Sequence, residues 1–133
     1  MKQLVEKLRS LEQQMAEEKG AFLLFALFLR EDAPGVWDLL ISAPWAEANK
    51  GDALHYIVSK LKDVATPDEL SKLSRLVIIE KAQPALAVIQ SVVHTEHGLA
   101  EFENCDFSGM QIKHAYIITS RRADTQSFVP ADP

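Results

Sequence analysis

The sequence predicts an α+β domain: a mixed, mostly antiparallel sheet of about five strands with helices packed mainly on one face. Strand-like segments at 21–29 and 36–43, and again at 99–104 and 111–119, are joined by links too short for a parallel crossover, so each pair reads as a hairpin. Between and before them lie segments whose apolar residues recur at helical spacing. A length of 133 residues fits one domain, 1–119, opened by a helix over 1–19 and followed by a loose C-terminal tail over 120–133.

In residues 1–19, Leu4, Leu8, Leu11 and Met15 recur at spacings of four, three and four among Glu, Lys, Arg and Gln, and Gly20 is placed to end the helix. The stripe is narrow and only two heptads long, which suits a helix laid on a sheet better than a coiled coil. Ala21 to Leu29 is apolar on both faces, as a central strand covered on two sides would be. Val36 to Ala43 follows as its hairpin partner after Pro34-Gly35, with Trp37, Leu39 and Ile41 on one face, and Pro44 ends it. A helix is expected over 47–64. In Thr66-Pro67-Asp68-Glu69, Thr66 can cap a short helix, Pro67 suits its first position and Glu69 completes a capping box. A buried strand over 76–79, a helix over 83–92 opened by Pro84, and a final hairpin turning at 106–109 complete the order.

Apolar residues make up 47% and charged residues 25%, which excludes a disordered or collagen-like chain. The net charge is -5 and the sequence pI about 5.3, so the chain is acidic and lacks the basic footprint of a nucleic-acid binder. Cys105 stands alone and cannot form an internal disulfide, which favours a reducing, cytoplasmic setting. The first twenty residues carry charges throughout, and the longest apolar run, 21–29, is too short to cross a bilayer; no membrane association is expected.

Named catalytic signatures are absent: no phosphate-binding loop, no G-x-G-x-x-G, no G-x-S-x-G elbow, no H-E-x-x-H and no Cys-x-x-Cys pair. Residues 82–112 contain no Lys or Arg and carry Glu96, Glu101, Glu103, Asp106, His94, His97 and Cys105, a donor set suited to zinc or iron. His94, Glu96 and His97 are the candidate metal ligands. Glu101 and Glu103 share the strand face opposite Phe102, where a solvated polar face is the simpler explanation. Asp38 is the lone charge in an apolar strand, either a cleft-facing acid or an edge-strand guard against aggregation, the latter being favoured. Asp38, Trp45 and His114, the last sharing a face with Ile112, Tyr116 and Ile118, are the candidate ligand-binding residues. His55 is expected half-buried on its helix. The acids around Cys105 favour a protonated thiol.

No catalytic residue is assigned and no cofactor is expected, a metal ion being the exception to test. These features favour a non-catalytic protein-interaction or regulatory module that self-associates, with a protein partner as its ligand. A small enzyme or ligand-binding protein, metal-dependent or not, around Asp38 and His94, His97 or His114 is the alternative. The expected homodimer buries Leu4, Leu8 and Leu11 or the open face of the sheet.

Overall fold

The computed structural model describes residues 2–32, 35–107 and 109–122. Helix α1 (Lys2–Lys19) leads into strands β1 (Leu24–Arg30) and β2 (Trp37–Ser42). Three helices follow, α2 (Pro44–Ala48), α3 (Lys50–Val64) and α4 (Pro67–Ser71), then β3 (Leu73–Ile78), α5 (Pro84–Val92), β4 (Ala100–Phe107) and β5 (Met110–Ser120). The strands form one sheet in the order β3-β2-β1-β5-β4. Only the β2–β3 pair is parallel, and the α2–α4 segment provides its crossover.

The apolar β1 segment occupies the centre of the sheet, hydrogen-bonded on both sides, and Leu24 to Phe28 are fully buried. One core lies between α1, α3 and the sheet. There Leu4, Leu8, Leu11 and Met15 meet Phe22, Phe25, Leu27, Leu39, Ile41, Ile57 and Ile118. The narrow leucine seam of α1 is therefore spent inside its own domain. The second core holds Leu24, Ala26, Phe28, Leu40, Ile112, Ala115 and Ile117 under Leu86 and Ile89 of α5 and Val93, which caps that helix. Helices thus favour the first face, with only the nine residues of α5 on the second.

Several local signals act as expected. Thr66 Oγ1 accepts from the Glu69 amide at 3.1 Å while the Glu69 carboxylate accepts from the Thr66 amide at 2.9 Å, closing the capping box. Gly20 adopts φ +127°, and a Cβ there would stand 3.2 Å from the Trp45 ring. Both backbone and space require glycine at that turn.

Other boundaries differ. Pro44 opens α2 instead of merely ending β2, and Asn49 breaks the expected 47–64 helix by capping α3 through the Asp52 amide. Strand β3 begins at Leu73, three residues before the expected start. Strand β5 continues through Ser120, whose amide and carbonyl pair with Thr95, so the body of the domain extends past 119. Pro34 and most of the tail, 123–133, lie outside the described residues. No described helix is long and apolar enough to cross a membrane.

Candidate functional site

The second face of the sheet is where covering is incomplete. Helix α5 reads PALAVIQSV and carries no charged residue. Leu86, Ile89 and Val93 enter the core, and Gln90 Nε2 donates to the Arg121 carbonyl at 2.6 Å, pinning the helix to the chain just after β5. Ala87, Val88, Ser91 and Val92 are exposed, Val88 by 36% and Val92 by 62%. A surface helix ordinarily presents charge on its outer side; this one presents a Val88–Val92 ridge beside small Ala87 and Ser91. Val77 on one flank and Ala100, Phe102, Cys105 and Met110 on the other are only partly buried against the same core. Leu99, 41% exposed, precedes β4. Both signs of charge lie at the ends of the helix, Glu80 and Lys81 before it and Glu96 and Arg122 near its close.

The candidate ligands sort into separate places. Ser91, His94, Thr95, Glu96, Ser120, Arg121 and Arg122 line a cleft of about 630 Å³ at the C-terminal end of α5. His97 does not line it, although its Nε2 stands 3.9 Å from the Glu96 carboxylate. Its backbone takes φ +56°, and its Nδ1 lies 2.5 Å from Oε1 of Glu12, a carboxylate sealed in the interior. Thr119 Oγ1 donates to the other Glu12 oxygen at 2.7 Å and accepts the His97 amide at 3.1 Å. This network ties α1 to the 94–98 turn and to β5, so His97 is engaged structurally and does not join His94 and Glu96 in one donor group.

Asp38 is 3% exposed on an interior strand, which replaces the edge-guard reading. Arg75 reaches its carboxylate at 2.8 and 3.3 Å and Arg30 at 2.8 Å. Burial raises the Asp38 carboxyl, but the hydrogen bonds from Arg75 and Arg30 outweigh it and hold the group below its ordinary range. Asp38 stands opposite Phe28 on the α5 face, whereas His114 stacks on Tyr116 and lies tilted against Trp37 on the α1 face. The two are separated by the sheet. Trp45 does not join either: its indole donates to the Gly20 carbonyl at 2.9 Å and packs edge-on against Phe22 and Tyr56. His55 is exposed on α3.

Among the described residues, one trio of metal-type donors converges: Glu101, Glu103 and His114, with donor atoms within 4.8 Å of one another. His114 Nε2 lies 2.6 Å from Glu101 Oε2. Pairing in the β4–β5 hairpin sets Glu103 opposite His114 and Glu101 opposite Tyr116. The expected turn at 106–109 gives no signal for this trio, because counting back from it sets Glu103 against Ile112; the hairpin instead closes at Phe107 and Met110, which sets Glu103 against His114. Ile112, expected on the His114 face, belongs to the opposite core, because an irregularity around Lys113 and the left-handed Asn104 (φ +52°) turns the hairpin over. Burial, then the carboxylates of Glu101 and Glu103, push the Tyr116 phenol up. Burial, and secondarily Asp106, push the Cys105 thiol up, so a thiolate nucleophile is disfavoured.

Comparison with protein-family models, with curated proteins and with solved structures found no match.

Proposed function

We propose that this protein is a non-catalytic interaction or regulatory module that self-associates as a homodimer through the outer side of α5 and the partly covered sheet beside it. The observation that carries the reading is the exposed, uncharged face of α5, bearing Val88 and Val92 over a sheet face that one nine-residue helix covers. Contiguous exposed apolar surface on a folded domain marks a contact. Small Ala87 and Ser91 allow another helix to approach closely.

A second copy is the occupant favoured by the charges. Two α5 helices packed antiparallel about a two-fold axis would bring Lys81 of one copy toward Glu96 of the other, and Glu80 toward Arg122, in addition to the pairs that Glu80 makes with Lys50 and Glu96 with Arg121 in its own chain. The Asp38 carboxylate is engaged by Arg30 and Arg75 and the His97 imidazole by Glu12, so both candidates take part in ties within the domain. The cytoplasmic setting suggested by the lone Cys105 belongs to the same proposal.

Hydrogen–deuterium exchange tests it. Compared with a Val92→Glu variant at equal concentration, the unaltered protein should exchange more slowly across 84–93 and 99–105. Equal exchange in those segments, with both proteins folded, overturns the proposal.

A further inference from the structure

We propose that Glu101, Glu103 and His114 bind a divalent first-row transition ion of the zinc class on the face of the sheet opposite α5. The trio supplies one imidazole nitrogen and two carboxylate groups, a set that suits Zn²⁺ and its neighbours better than Mg²⁺ or Ca²⁺, which prefer oxygen alone. Three protein ligands would leave a fourth position to water.

The backbone placement is rigid. Glu101 and Glu103 are alternate residues of β4, and His114 is the direct cross-strand partner of Glu103. The imidazole is fixed by its neighbours: its ring centroid lies 4.7 Å from that of Tyr116, stacked, and 5.6 Å from that of Trp37. Donors around a tetrahedral ion stand about 3.4 Å apart when each bond is about 2.1 Å. His114 Nε2 and Glu101 Oε2, at 2.6 Å, would open to that spacing and the wider pairs, within 4.8 Å, would close to it, adjustments that rotation of two exposed glutamates can supply.

Charge argues the same way. Glu101 hydrogen-bonds His114, but among the described residues neither glutamate has a Lys or Arg within ion-pair distance. Two neighbouring carboxylates repel one another unless a cation stands between them. The two buried carboxylates Asp38 and Glu12 differ in being balanced from within the protein, Asp38 by two arginines and Glu12 by His97 and Thr119. Because α5 lies across the sheet from His114, the proposal does not rest on self-association.

The test is calorimetric titration of ZnCl₂ into untagged, EDTA-treated full-length protein. One ion per chain should bind. Glu103→Gln and His114→Gln should each weaken binding at least about tenfold, while His94→Gln, at the separate cleft, should leave it unchanged. Thermal melts in EDTA identify any variant that fails to fold; Glu101→Gln then takes its place, since an exposed side chain tolerates the change. The absence of binding, its persistence in a Glu103→Gln/His114→Gln double variant, or its loss in His94→Gln overturns the proposal.

Discussion

Glu12 and His97 meet at 2.5 Å across 85 residues of chain, the carboxylate fully buried and the imidazole held by a left-handed backbone. A buried carboxylate is costly unless its oxygens are bonded, and here His97 serves one oxygen and Thr119 the other. Removing the imidazole leaves one oxygen short of a partner. His97→Ala is expected to lower stability by about 1–3 kcal/mol, read as a shifted urea midpoint. His97→Val should cost more than His97→Ala, because a β-branched residue resists positive φ. Equal midpoints for all three proteins would mean that neither the bond nor the backbone matters there.

Asp38 gives a pH dependence of known sign. Its folded carboxyl lies below the ordinary value, so its contribution is present above roughly pH 4 and is lost as pH falls through the lower folded value. Asp38→Asn should therefore destabilise the protein at pH 7 and flatten the decline of stability on acidification. Arg75 is half exposed and can turn to water once unpaired, which moderates the loss. A variant whose acid limb is as steep as that of the unaltered protein would contradict this account.

At Thr66 the reciprocal hydrogen bonds with Glu69 are both in place. Thr66→Ala should cost about 0.5–2 kcal/mol in chemical denaturation. An unchanged midpoint would show that the cap contributes nothing.

Leu8 separates two uses of the N-terminal seam. It is fully buried against the sheet. Leu8→Ala should cost about 2–5 kcal/mol without changing the oligomeric state at which the folded protein sediments. A folded, equally stable variant with altered mass would return α1 to the interface.

The central strand was legible because an uninterrupted run such as Phe22 to Leu29 can be buried only where both faces are covered. The capping box was legible because its chemistry is local. The α1 seam was less so. Leu4, Leu8, Leu11 and Met15 have the same spacing whether they meet a sheet or another chain, and only tertiary structure chooses. The break at Asn49 was hidden because the apolar spacing of α3 runs on without change while a side-chain cap redirects the chain. Candidate residues were recognised by type but not by grouping. Asp38 and His114 fall on opposite faces through strand alternation, and a one-residue irregularity near Lys113 moves Ile112 away from His114. The His97–Glu12 pair joins residues too distant in sequence for any local pattern to link them. On α5, by contrast, the absence of charge over nine residues was visible, although burial within one domain would have explained it equally well.

Self-association through α5 is tested most directly by sedimentation of the unaltered protein and its Val92→Glu variant over a wide concentration range. The account predicts a dimer for the unaltered protein and, because Val92 is 62% exposed and its replacement removes no core contact, a folded monomer for the variant. A monomer for the unaltered protein at every concentration, or a Val92→Glu variant that remains dimeric, would contradict it.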